Sequence, residues 1–137
     1  MLHISKVLQL TDFRSVTLRD RAERGHCPRS KEFLASQDGE EAGLLSYEEW
    51  GNEAPGFIYE IFVLPSFRQQ GVGKSLLSYA ESYALELGCK SVRLKPHTLD
   101  HEFDQSRLIA WYAKEGYRQI PGDQEHMVKV LHAKSAA

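Results

Sequence analysis

Arg68-Gln69-Gln70-Gly71-Val72-Gly73, continuing into Lys74-Ser75-Leu76, stands between an apolar run that stops at Pro65 and a stretch of helical periodicity. A strand that passes through a glycine turn into a helix aims successive backbone N–H groups at one point. The helix dipole and the unpaired donors there favour an anion, and a pyrophosphate is the natural ligand. A side chain at Gly71 or Gly73 would hold such a ligand off the backbone or forbid the turn. Arg68 and Lys74 add positive charge beside the amides. The plainer alternative is that the two glycines only turn the chain.

Spacing separates the phosphate-binding motifs that compete for these residues. A P-loop requires glycine five residues before Gly73-Lys74-Ser75, where Arg68 stands. A dinucleotide fingerprint requires a third glycine at Leu76, and 137 residues are too few for two mononucleotide halves. Neither motif fits.

Outward from the glycines, Phe57 to Leu64 is rich in aromatic and β-branched residues and reads as the central strand, ended by Pro65. From Lys74 to Leu87, the residues Leu76, Ala80, Tyr83, Ala84 and Leu87 keep helical spacing, and Gly88 follows as a C-terminal stop. Upstream, Leu2, Ile4, Leu8 and Leu10 suit a strand with one buried face. Thr11 or Asp12 then caps a helix carrying Phe13, Val16 and Leu18, which ends in the run from Arg24 to Pro28. Glu32 to Gln37 and Glu41 to Tyr47 form a hairpin across Asp38-Gly39, and a loop spans Gly51 to Gly56. Downstream come a short strand from Ser91 to Lys95, a polar loop, and a helix capped by Asp104 that runs to Glu115. Phe103 and Leu108 are placed as its hydrophobic staple. Strands at Tyr117 to Ile120 and His126 to Leu131 close the pattern around Pro121-Gly122-Asp123.

The length fits one domain covering residues 1–137, with 17 basic against 19 acidic side chains and no concentrated basic face. Nucleic acid is therefore not an expected partner. Cys27 and Cys89 fall in no disulfide or metal spacing, so free thiols in a reducing cytoplasm, and no metal site, are expected. No run approaches the ~20 apolar residues of a membrane span, and a soluble, cytoplasmic protein without membrane contact is the expectation.

Residues 68–73 fit every defined position of Arg/Gln-x-x-Gly-x-Gly/Ala, and with that the chain resembles the GNAT superfamily of acetyl-CoA-dependent N-acetyltransferases. Glu60-Ile61-Phe62-Val63-Leu64-Pro65, Leu87-Gly88, Trp111-Tyr112-Ala113-Lys114-Glu115-Gly116-Tyr117 and the closing His126 to Leu131 are similar to the family in the same order. The resemblance implies an α+β fold, with a mixed, mostly antiparallel central sheet of about six to seven strands flanked by helices. Only about twenty residues separate the first two strands, so the helical segment there should be shortened.

The resemblance also implies roles. Acetyl-CoA, as co-substrate, would contact Phe62, Val63, Arg68, Gln69, Gln70, Gly71, Val72, Gly73, Lys74 and Ser75, with the backbone of Phe62 and Val63 pairing to pantetheine as to an added strand. Gln105 occupies the position where many members carry an asparagine near that arm, seven residues before Tyr112. Tyr112 matches the tyrosine that protonates the leaving thiolate, the alternative being an aromatic packed in the core. For the general base, Glu60 precedes the cofactor-contacting residues on the central strand, and His97 and His101 are its rivals.

The expected activity is transfer of an acetyl group to a primary amine by direct attack on the thioester. A non-catalytic acyl-CoA-binding or regulatory module of the same fold is the alternative. The acceptor is read as a small-molecule or peptide amine, and a homodimer is admitted. Glu48, Glu49, Glu53, Asp100, Glu102 and Asp104 would border an acidic acceptor mouth, or simply a solvated surface.

Overall fold

The computed structural model describes residues 1–51, 54–96 and 105–132. One seven-stranded sheet organises them, in the order β1-β2-β3-β4-β5-β7-β6. The strands are β1 (Leu2–Val7), β2 (Ser30–Gln37), β3 (Glu40–Glu48), β4 (Gly56–Val63), β5 (Ser91–Leu94), β6 (Arg118–Ile120) and β7 (Asp123–Val130). The helices are α1 (Val16–Gly25), α2 (Val72–Glu86) and α3 (Gln105–Lys114). Every neighbouring pair is antiparallel except β4–β5. This is the mixed, mostly antiparallel sheet that the family resemblance implies, with β4 fourth of seven and therefore central.

The β2–β3 hairpin turns on Asp38 at φ 51° and Gly39 at φ 86°, the left-handed pair that a two-residue hairpin turn requires. The first helix differs from expectation. Leu10–Asp12 forms a 3-10 turn whose Asp12 carboxylate accepts the backbone N–H groups of Leu8 and Gln9. Ser15, not Thr11 or Asp12, caps α1, accepting Leu18 N–H at 3.2 Å. Phe13 thus enters the core ahead of the helix, while Leu8 is 84% exposed and Val16 65% exposed. One α-helix, not two, covers the interval between the first two strands.

Helix α2 begins at Val72, two residues before the expected Lys74, and ends at Glu86, so Leu87 is the exposed C-cap. Gly56, expected in a loop, opens β4, and only glycine fits there because the Tyr47 hydroxyl occupies the space where a Cβ would stand. Asp104 and Phe103, proposed as cap and staple of α3, lie outside the described residues.

Two apolar cores flank the sheet. On one face Phe33, Leu45, Tyr47 and Ile58 meet Leu76, Leu77, Ala80 and Ala84 of α2 and Tyr112 of α3. On the other, Leu44 and Phe62 meet Phe13, Leu18 and Ala22. Each fully buried leucine or phenylalanine contributes about 2 kcal/mol relative to exposure.

Two irregularities of β4 create the opening. Ser46 pairs with Glu60 but Tyr47 with Ile58, so Tyr59 is the extra residue of a bulge. The parallel contact with β5 joins only Gly56, Phe57 and Ile58 to Val92, Arg93 and Leu94. Beyond Ile58 the two strands part, and among the described residues β4 from Tyr59 to Val63 keeps a strand partner only on its β3 side.

Candidate active site

A cleft of about 740 Å³ fills the opening between β4 and β5. Its floor is β4 from Ile58 to Val63, and the first turn of α2 and one flank of α3 wall it. The turn into α2 is set by backbone conformation. Gln69 has φ 65° and Gly71 φ 84°, so the chain reverses twice into the left-handed region before Val72. The first intrahelical bond, Ser75 N–H to Gly71 carbonyl at 3.0 Å, leaves the N–H groups of Val72, Gly73 and Lys74 at the helix start, where the dipole favours an anion.

The two glycines act differently. Gly71 is needed for its positive φ, and a Cβ there would meet nothing within 4 Å. Gly73 is ordinary helix, and its Cβ would lie 3.7 Å from Val63 and 3.8 Å from Trp111, in normal contact. Its small size therefore keeps open the gap between β4 and α3, not the turn itself.

Phe62, Val63, Arg68, Gln69, Gly71, Val72, Gly73 and Lys74 all line the cleft, as do Glu60 and Tyr112. Gln70, Ser75 and Gln105 stand outside the lining. The Gln70 amide donates to the Ser66 carbonyl at 3.1 Å, and the Gln105 amide donates to the Pro96 carbonyl. Arg68 Nε donates to the Val63 carbonyl at 3.0 Å, tying the glycine turn back to the end of β4.

Cations dominate the cleft: Arg21, Arg68, Lys74, Lys95, Arg107 and Lys114 stand against Glu60 and Glu115. Low-dielectric walls focus such a field on an anionic ligand. Arg107, Trp111 and Lys114 sit at helical spacing on α3, a stripe that sequence reading passed over because it also suits a solvated helix face.

Tyr112 is 6% exposed, in edge contact with Trp111 and Tyr117 at ring-centroid distances of 4.9 and 5.8 Å. It belongs both to the core and to the cleft wall. Burial, and then the Glu60 carboxylate, push its phenol well above the ordinary tyrosine range. Such a phenol keeps its proton until a strong base forms beside it.

Glu60 Oε2 accepts from Arg21 Nη1 at 2.6 Å, and the Arg21 guanidinium lies 3.7 Å above the Phe62 ring. Sequence reading missed Arg21. It lies on a charge-mixed helix, and its partner is 39 residues away.

Of the acids expected at an acceptor mouth, the two described ones, Glu48 and Glu49, stand outside the cleft lining. Glu49 accepts the Tyr83 hydroxyl at 2.7 Å. Glu48 accepts Trp50 Nε1–H at 3.1 Å and borders a separate pocket of about 340 Å³ with Phe57, Arg93, Asp123 and His126. Glu53, His97, Asp100, His101, Glu102 and Asp104 lie outside the described residues. Cys27 and Cys89 are free thiols. No helix among the described residues is long and apolar enough to cross a membrane.

Known proteins share this architecture. The E. coli ribosomal-protein-S18-alanine N-acetyltransferase superposes with TM-score 0.71 at 16% identity over 99% of this chain and 97% of its own. An IAA acetyltransferase from Bacillus cereus gives 0.72 at 16% identity over 96% and 100%. An aminoglycoside 6'-N-acetyltransferase solved with coenzyme A gives 0.70 at 17% identity over 97% and 99%.

In sequence, an uncharacterized N-acetyltransferase of Archaeoglobus fulgidus is 36% identical over 67 residues, covering 45% of this chain and 46% of its own. The aminoalkylphosphonate N-acetyltransferase of Salmonella typhimurium is 30% identical over 94 residues, covering 63% and 55%. The chain thus spans about half the length of these two relatives. The sequence model of the acetyltransferase (GNAT) family matches residues 4–117, taking in the split between β4 and β5, the glycine turn and Tyr112 alike, and the chain belongs to that family.

Proposed function

We propose that the protein is an N-acetyltransferase that moves an acetyl group from acetyl-CoA to a primary amine by direct attack on the thioester. The observation that carries this reading is the cleft itself, where an edge of β4 with no strand neighbour among the described residues, a helix start with Arg68 and Lys74, and Tyr112 converge on one space. The α2 N–H groups with Arg68 and Lys74 hold the pyrophosphate, and the β4 edge at Phe62 and Val63 pairs with the pantetheine amides. The Val63 N–H then stabilises charge on the thioester oxygen.

Glu60 accepts a proton from the incoming ammonium, which frees the nitrogen lone pair to attack the carbonyl carbon. As the C–S bond breaks, the Tyr112 hydroxyl gives its proton to the departing thiolate, the adduct nitrogen releases its second proton to solvent as the amide forms, and the tyrosine regains a proton from solvent. Arg21 is the positioning residue that fixes the Glu60 carboxylate.

A thiol-release assay with acetyl-CoA against a panel of amines, including peptides and polyamines, tests the reading, with calorimetric titration of acetyl-CoA beside it. Binding with thiol release supports it. Binding without release for any amine supports the non-catalytic module instead, and no binding at millimolar acetyl-CoA overturns both.

A further inference from the structure

Three polar side chains on adjacent strands form one row beneath α1. Glu32 of β2 is in register with Ser46 of β3, and Ser46 with Glu60 of β4. The helix lies across them in order. Arg21 meets Glu60 at 2.6 Å, Gly25 sits over Ser46, and His26, the C-cap, meets Glu32 Oε1 through Nδ1 at 2.7 Å. A Cβ on Gly25 would stand 2.9 Å from Ser46 Oγ and 2.6 Å from the Tyr59 ring, so glycine brings the helix end down onto the row.

The row is closed in the middle and open at both ends. Ser46 is 0% exposed and Glu32 5% exposed. Glu60 lines the cleft, and the His26 side chain is 54% exposed. The same strands carry Leu34, Leu44 and Phe62 further along this face, as a helix-covered sheet ordinarily does. Among the described residues, Glu32 Oε2 and Ser46 Oγ are buried without a hydrogen-bond partner, a costly arrangement for a purely structural pair. The charged and polar groups that face the row are Arg21, His26, Ser30 and Tyr59.

We propose that Glu32, Ser46 and His26 form a proton exit path that returns Glu60 to its carboxylate form after each acetyl transfer. The path rests on the reading of Glu60 as base. Protonated Glu60 gives its proton to Ser46 Oγ as the serine hydroxyl passes its own to Glu32 Oε2. Opposed Cβ atoms of an antiparallel pair stand about 5 Å apart, a gap that side-chain rotation or one water spans. At rest the His26 Nδ1–H donates to the Glu32 carboxylate. Once Glu32 is protonated, the half-exposed imidazole exchanges with solvent to its Nε2–H tautomer, Glu32 gives its acid proton to the bare Nδ1, and the Nε2 proton leaves to bulk water, which restores the starting tautomer. One proton leaves, and every group in the row is restored.

Ser46→Ala tests the path, assayed by thiol release at saturating acetyl-CoA and amine over a concentration series of a tertiary-amine buffer, which can take protons but forms no stable amide. The expected result is a kcat roughly 10-fold lower at low buffer, short of the ~100-fold loss of a general base. That kcat should recover as buffer rises, with KM for acetyl-CoA unchanged and the wild type indifferent to buffer. Glu32→Gln should behave alike and serves if Ser46→Ala does not fold. Wild-type kcat without buffer dependence in these variants overturns the path, while a changed Glu60→Gln pH profile would leave the base standing. An unchanged Glu60→Gln profile overturns the base, and the path with it.

Discussion

Arg21 and Glu60 are the only oppositely charged pair joining α1 to β4 among the described ion pairs, at 2.6 Å and with side chains 11% and 9% exposed. A carboxylate so deeply placed depends on its cation. Arg21→Ala should destabilise the fold by about 3–5 kcal/mol, because it strands a buried charge and removes the stacking on Phe62. Urea unfolding of the variant beside the wild type measures this. Arg21→Lys should recover only part, since an ammonium keeps the charge but not the planar contact.

The pH profile separates a base from a bystander at Glu60. A base works only when deprotonated, so kcat/KM should fall as pH falls through its pKa. Glu60→Gln should flatten that acidic limb while lowering the plateau by about 100-fold. A Gln variant with the wild-type limb would remove Glu60 from the chemistry.

Tyr112→Phe keeps the edge contacts with Trp111 and Tyr117 and removes only the proton donor. The expected outcome is a kcat lower by about 100-fold with acetyl-CoA affinity and melting temperature near those of the wild type. Calorimetry and thermal unfolding check the two unchanged quantities, and wild-type turnover would assign Tyr112 to packing alone.

Gly71 and Gly73 should respond oppositely to alanine. Gly71→Ala forces a side chain into φ 84° and should cost about 1–2 kcal/mol of stability. Gly73→Ala should hold stability level or raise it by up to ~1 kcal/mol, yet weaken acetyl-CoA binding by narrowing the gap between Val63 and Trp111. Unfolding and titration of both variants give the full comparison.

Alkaline pH should unfold the protein through its tyrosines. Burial pushes the hydroxyls of Tyr47, Tyr83, Tyr112 and Tyr117 upward in the folded state. The unfolded chain ionises near ~10. Since the folded pKa lies above the unfolded one, their contribution is complete below pH ~10 and declines as pH rises beyond it. Ultraviolet difference titration should show these four ionising together with loss of structure rather than as free phenols.

The order of strand, glycine turn and helix along one side of the cleft was legible because it is local. The strand, the glycine turn and the helix are contiguous from Phe57 to Glu86, so spacing alone sets their order in space. Asp38-Gly39 was equally plain, because few residues accept that turn. The start of α1 was misread, since Thr11, Asp12 and Ser15 are all able caps. The choice fell to Ser15 once Phe13 entered the core and Asp12 bound the backbone behind it.

Pairings made by the fold left no mark in the sequence. Arg21 with Glu60, and Ser46 between two glutamates, look like ordinary charge on a helix and ordinary alternation on strands. Gly73 misled in a subtler way. It was read, with Gly71, as clearing space for a ligand or permitting the turn, and the turn does not require it: it lies in ordinary helix, where a Cβ would meet Val63 and Trp111 only at normal contact distance.

The three-residue contact between β4 and β5 has a mechanical consequence. Among the described residues it is the sole backbone seam between the sheet's two halves, β1 to β4 and β5 to β7. A ligand seated in the cleft therefore bridges the seam and adds to the cohesion that the shared apolar core beneath α2 already gives the two halves. Occupancy should slow amide exchange across β5, whose Leu94 lines the cleft, and onward into β7, which does not line it, so that the ligand serves for a time as part of the sheet.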